Sequence, residues 1–193
     1  MATPTKLSLT SRETALCIIP PRTQWSKVDQ LRSHYDRAYG KWPPHINLVY
    51  PFVQVDALPR AAEAVQSAAA AAAQPGQKHF DVCLDSAGVF QHKQDNTIYI
   101  YDNDDSQLSN LRAAVLLALG QQDAGENRMH MTIGQSEDSK STPWGNSGTS
   151  SMAEPYQREH SFEARMNCDD VRVITSYGTT YYRPISHRTT PRR

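Results

Sequence analysis

With 193 residues, 38% of them apolar, and a formal net charge of zero, the chain is long enough for a sizeable core. It lacks the broad basic face with which a protein coats nucleic acid. A mean hydropathy of −0.63, with no run near the ~18 apolar residues of a spanning helix, argues against a membrane protein.

Cys17, Cys83 and Cys168 stand apart with no C-x-x-C pair, which excludes a zinc knuckle or a thioredoxin-type motif and fits a reducing compartment. The N-terminus is polar and carries no signal-peptide core, and there is no N-x-S/T sequon; a cytoplasmic or nuclear location is expected. One domain over residues 1–193 is expected. Its ends, 1–10 and 187–193, read as disordered, the latter within a basic tail of Arg183, Arg188, Arg192 and Arg193.

In chain order, the apolar run Ala15 to Ile19, stopped by Pro20-Pro21, reads as a buried strand. Ser26 with Asp29 has the spacing of a capping box, and Val28, Leu31, Tyr35 and Ala38 recur at helical spacing before Gly40. Pro43-Pro44 then denies the chain a helix, and an extended segment follows. It would put Ile46, Leu48 and Tyr50 on one side and His45, Asn47 and Val49 on the other. Asp56 and Pro59 open a helix containing the run Ala68 to Ala73, closed by Gln74-Pro75-Gly76; the alanines suit a small-residue packing face.

Phe80, Val82 and Leu84, then Val89-Phe90, then Thr97 to Tyr101, with Gln91 to Asn96 as a polar connection, suggest an antiparallel meander. Asp104 or Asp105 caps a second amphipathic helix bearing Leu108, Leu111, Val115 and Leu119, terminated at Gly120. A polar turn leads to His130-Met131-Thr132-Ile133-Gly134, a second β-rich segment with a polar residue two positions after a histidine. Residues 135–151 read as a flexible loop able to act as a lid. Further strands are expected at Phe162 to Met166, Val171 to Thr175 and Thr179 to Arg183. A strand and a helix precede each histidine segment, as an internal duplication would have it.

His187-Arg188-Thr189 has the same spelling as the second segment but lies in a polar tail, so context rather than spelling singles out His45 and His130. Two imidazoles on neighbouring strands suit metal-free phosphodiester cleavage: one takes a proton from the nucleophile and the other protonates the leaving oxygen. Asn47 and Thr132, pointing the same way, can donate to the non-bridging phosphate oxygens. No metal ligand set is visible, because there is no H-E-x-x-H and no carboxylate within two residues of either histidine. A G-x-S-x-G elbow, a Walker A loop and G-x-G-x-x-G are also missing. Trp42, Phe90, Tyr99 and Trp144 are candidates for stacking on a base, although packing explains each as well.

These residues resemble the two-histidine (2H) phosphoesterase superfamily, marked by a pair of H-x-[ST]-h motifs, h being apolar, each on a central strand. His130-Met131-Thr132-Ile133 matches outright; His45-Ile46-Asn47-Leu48 departs at Asn47, whose amide still donates. The similarity runs loosely from Ala15 to Arg183. It is nearer to eukaryotic branches, fungal ones included, of 2′,3′-cyclic phosphodiesterase or RNA 2′-5′ ligase-like type than to bacterial ones. The resemblance implies an α+β, pseudo-symmetric, two-lobed fold, with antiparallel sheets flanked by helices around a central cleft. It further implies a metal-independent hydrolase with no cofactor, acting as a monomer on RNA termini or nucleotide cyclic phosphates. A 2′,3′-cyclic phosphate suits a neutral chain with a compact site; 2′-5′ linkages, cyclic ADP-ribose phosphate and the 3′ end of an RNA, as in a 3′-exonuclease, stay open. The competing expectation, favoured by Asn47, is a non-catalytic RNA- or nucleotide-binding module.

Overall fold

The computed structural model describes residues 6–72, 79–92, 95–122, 128–136, 162–167 and 171–175, with the backbone alone described at 79–80, 136, 162–167 and 171–175. The elements are β1 (Thr14–Ile18), α1 (Trp25–Tyr35), β2 (Ile46–Val49), α2 (Leu58–Ala72), β3 (His79–Leu84), β4 (Ser86–Gln91), β5 (Asn96–Tyr101), α3 (Ser106–Ala118), β6 (His130–Ser136), β7 (Phe162–Asn167) and β8 (Val171–Thr175). Six strands form one sheet in the order β4-β5-β6-β2-β1-β8, while β3 and β7 pair separately. All the ladders are antiparallel, so the fold is α+β. Among the described residues no helix is long and apolar enough to cross a membrane.

The centre of the sheet is nearly palindromic. Each histidine segment pairs with the strand that precedes it, β2 with β1 and β6 with β5, and the two segments adjoin each other in the middle. Both units also carry a β-bulge at the same point. Leu16 faces Val49 while Cys17 faces Asn47, which leaves Leu48 as the extra residue; Ile98 faces Gly134 while Tyr99 faces Thr132, which leaves Ile133. A bulge breaks the two-residue alternation. Leu48 and Val49 are consequently both buried, and Tyr50, expected beside Leu48, is instead 52% exposed.

Ile46, Leu48, Ile100 and Met131 pack in one core with α2 and α3. The alanine run serves as a packing face in part: Ala68 and Ala69 are buried with Leu58, Ala61 and Val65, while Ala70, Ala71 and Ala72 are exposed, and the small buried side chains let α2 lie close to α3. The N-terminal segment is docked from Lys6 onward, with Leu7 buried and its N–H donating to Leu119 O at 3.0 Å. That narrows the disorder expected for 1–10.

Several local expectations are corrected. The Ser26 capping box does not form; α1 starts at Trp25, whose indole N–H donates to Pro20 O at 2.7 Å. Asp29 turns instead toward Arg32, 3.4 Å away. The helix ends at Tyr35 rather than Ala38, and Tyr35 is 37% exposed. The buried positions on this side are Val28, Arg32 and Asp36, four residues apart and so on one helical face. β3 leaves the expected meander to pair with β7. β6 continues through Gln135 and Ser136, so the expected loop 135–151 starts in a strand; 137–151, the 179–183 strand, the tail from 187 and the Gln74-Pro75-Gly76 stop lie outside the described residues.

Helix α1 crosses β6 at Gly134, where a Cβ would sit 2.7 Å from Tyr35 Cβ and 3.1 Å from Tyr35 O. Backbone cannot give way as a flexible side chain can. Gly134→Ala should therefore lower unfolding stability by about 1–3 kcal/mol, read as a reduced urea midpoint. An unchanged midpoint would show that α1 does not lie this close to β6.

Candidate functional site

The motif strands meet at Ile46, which opposes Met131. Moving one residue in opposite directions along an antiparallel pair sets Asn47 across from His130 and His45 across from Thr132. Side chains alternate faces, so these four share the face opposite the fully buried Ile46 and Met131. All four are partly exposed while Ile46, Leu48, Met131 and Ile133 are buried. His45 immediately precedes β2 and His130 opens β6.

Both imidazoles are held the same way. His45 Nδ1 is 2.8 Å from Pro43 O and His130 Nδ1 is 2.8 Å from Arg128 O, each carbonyl two residues upstream. A carbonyl can only accept, so each Nδ1 must carry the proton and donate it. The neutral ring then keeps its lone pair on Nε2, the nitrogen turned away from the backbone. Two rings in the same tautomer thus serve one patch of sheet.

A buried network behind the site fixes the approach to His45. Arg32, 2% exposed, donates from Nε to Asp36 Oδ2 and from Nη2 to Trp42 O, both at 2.8 Å. Asp36 Oδ1 accepts the Ala38 N–H at 2.9 Å and Gln135 Nε2 at 3.2 Å, and Gln135 Oε1 accepts the Arg37 N–H at 2.9 Å. Helix α1, the Trp42-Pro43-Pro44-His45 segment and the far end of β6 are tied together. Sequence reading missed this network; its only trace there is the four-residue spacing of Arg32 and Asp36. It also missed the contact of Cys17 with Asn47, in which the thiol donates to Oδ1 at 3.1 Å.

Beside His130 the same face carries aromatic rings. Tyr99 opposes Thr132 and Tyr101 opposes His130. Phe90 stacks on Tyr99 at 4.1 Å between centroids, and the His130 ring lies 4.9 Å from each. Gly88, opposite Tyr99, leaves room for that ring, since a Cβ there would come within 2.5 Å of it. Arg128 places its guanidinium 4.3 Å over Tyr101, a cation–π contact. Of the four aromatics named from sequence, Phe90 and Tyr99 thus flank His130. Trp42 packs by Cys17 and Ile19 on the other side, and Trp144 lies outside the described residues.

Two cavities open on the site and share Asn47. One, of about 240 Å³, is lined by Cys17, Trp42, His45 and Asn47 among others; the second, of about 490 Å³, runs from Asn47 to His130 past Arg112 and Arg128. Among the described residues no three His, Cys, Asp or Glu side chains cluster as a metal site would need.

A family model described as the 2′-5′ RNA ligase superfamily matches residues 20–180. The chain belongs to the 2′-5′ RNA ligase superfamily. A search of curated proteins found no match. Both histidine segments lie inside the matched span, and the α+β fold with the two segments central in one antiparallel sheet agrees with this superfamily. Members of the 2′-5′ RNA ligase superfamily are enzymes acting on phosphodiester bonds, which supports RNA phosphoesterase chemistry in general.

Burial lowers the pKa of both rings from the ordinary imidazole value. For His45 the bond to Pro43 O opposes the shift, Arg32 deepens it, Asp36 opposes it and His130 adds to it; for His130 the bond to Arg128 O opposes it. NMR titration should give midpoints below ~6.5 for both. The unfolded chain, with imidazoles near ~6.5, binds more protons in the window between. The stability these sites contribute is therefore complete above that pH and lost as the pH falls through the folded values. Urea midpoints should drop on acidification, and less so in a His45→Gln/His130→Gln variant; a midpoint above ~7 for either ring would contradict the burial argument.

Proposed function

We propose that the protein is a metal-independent phosphodiesterase that opens 2′,3′-cyclic phosphates at RNA or nucleotide termini to 2′-phosphates, with His45 and His130 as the general acid–base pair. The observation that carries the reading is the matched pair of Nδ1–carbonyl bonds on adjoining strands. It supports two Nε2 atoms presented to one phosphate.

In this reaction one neutral ring takes a proton from water as the water oxygen bonds to phosphorus. The P–O3′ bond breaks as the other ring, an imidazolium, gives its proton to the departing oxygen. The 2′-ester stays intact, and the two rings exchange protonation states. Asn47 and Thr132 donate to the non-bridging oxygens, where charge accumulates in the transition state. Burial lowers the pKa of both rings and so favours their neutral form in the free protein, whereas the anionic charge of a bound substrate favours the imidazolium. The rings Phe90, Tyr99 and Tyr101 beside His130 suit a nucleobase or ribose on that side.

Turnover of a nucleoside 2′,3′-cyclic phosphate in EDTA tests the reading. His45→Ala and His130→Ala should each lower kcat by roughly 10²–10⁴-fold, the contribution of a positioned proton-transfer group, with melting temperature retained. Near wild-type turnover in either variant, or loss in EDTA reversed by one divalent ion, would overturn it.

The two phosphate donors should also rank differently. Thr132→Val deletes a donor and should cost more in kcat than Asn47→Thr, which exchanges one donor for another. The reverse order would give Asn47 a different task.

A further inference from the structure

We propose that Cys17 is a positioning residue for Asn47: its thiol fixes the carboxamide so that the NH₂ end, and not the carbonyl, meets the phosphate. The inference rests on the phosphodiesterase reading above.

A carboxamide has two chemically opposite ends, and only the NH₂ end attracts a phosphate oxygen. Rotating the amide by half a turn would set a carbonyl against an anion. A hydroxyl such as that of Thr132 needs no such control, because it reorients its own proton. Asn47 does need it, and Cys17 lies where it can supply it. The two residues face each other directly across β1 and β2 at the bulge, and the thiol donates to Asn47 Oδ1 at 3.1 Å. With the carbonyl end engaged, the NH₂ end is directed elsewhere.

Among the described residues the Cys17 thiol is the side chain that donates to Asn47 Oδ1. Cys17 is fully buried and packs among Ala15, Ile19, Trp25 and Trp42, and the Trp25 indole N–H is committed to Pro20 O at 2.7 Å. Burial also pushes the thiol well above its ordinary range, so the group keeps its proton at working pH and remains a donor. In the other half of the sheet the equivalent position, opposite Thr132, holds Tyr99, whose ring stacks on Phe90. The two halves thus differ at both members of the pair, and Cys17 goes with the residue that needs orienting.

The test is a double-mutant cycle on a nucleoside 2′,3′-cyclic phosphate with wild type, Cys17→Ala, Cys17→Ser, Asn47→Thr and Cys17→Ala/Asn47→Thr. Cys17→Ala should lower kcat/KM by about threefold to tenfold, the range of one neutral hydrogen bond. Cys17→Ser, which removes the same bulk but keeps a donor, should stay within about twofold of wild type. In the Asn47→Thr background, Cys17→Ala should change kcat/KM by less than about twofold, as for uncoupled sites. Should Cys17→Ala not fold, Cys17→Val, which fills the volume without a donor, takes its place. Wild-type kcat/KM in the donorless variant, or an equal loss in both backgrounds, would overturn the proposal.

Absence of turnover in wild type would instead defeat the phosphodiesterase reading. The Asn47 side-chain NH₂ resonances, titrated with inorganic phosphate, then decide the point separately. They should shift in wild type and Cys17→Ser and not in Cys17→Ala; equal shifts in all three would overturn the positioning role.

Discussion

The buried ion pair of Arg32 and Asp36 is the constraint on which the site depends. Two charges taken out of water carry a desolvation cost of several kcal/mol each, recovered only when geometry and hydrogen bonding are complete. Here both are: the guanidinium reaches Asp36 and Trp42 O, and the carboxylate collects the Ala38 N–H and the Gln135 amide. These partners lie in the α1–β2 connection and on β6. The pair therefore acts as a clamp that sets α1, the segment leading to His45 and the end of β6 in one arrangement. Its removal on one side would leave an uncompensated buried charge, a penalty of about 3–5 kcal/mol. Being charged, it also bears on the titration of His45, Arg32 lowering the pKa and Asp36 raising it.

On that frame the two halves of the sheet repeat one design. Each presents a histidine held by the carbonyl two residues upstream, a polar side chain two residues downstream and a bulge at the third. The bulge turns the strand so that consecutive apolar residues can both enter the core, while the residues before it stay on the cleft face. Preorganisation follows from this geometry: the ring tautomers are set by backbone acceptors and the polar partners by the pleat, before any ligand arrives. The halves differ in what surrounds them. Aromatic rings and Arg128 flank His130, whereas Cys17 and Trp42 flank His45.

That asymmetry bears on the chemistry. Neutral imidazoles in a partly buried cleft are poor acids until an anion joins them, and the proposed substrate is itself the anion. Coupling of the two rings across one phosphate would make their apparent pKa values properties of the pair. The cavity running from Asn47 to His130 is lined by Arg112 and Arg128, so two guanidinium groups adjoin the site in a chain of zero net charge.

Much of this was legible in the sequence. Prolines before His45, β-forming residues around both histidines and a polar residue at the second position after each determined the motif strands; Asp56, Pro59 and an alanine-rich interior determined α2, and period-3.6 apolar spacing determined α3. The start of the alanine run, Ala68 and Ala69, packs in the core, because alanine is both the best helix former and the smallest side chain that packs. Tertiary structure alone decided that β2 and β6 are neighbours and in which register, since pairing between residues some 85 positions apart leaves no local trace. It decided the bulges, and with them the inward turn of Val49 that strict alternation had denied. It also decided that Arg32 on α1 and Asp36 just after it are buried, rather than Tyr35 and Ala38. Sequence pattern scores charged residues as solvent-facing, and only partners gathered from the α1–β2 connection and β6 make their burial tolerable.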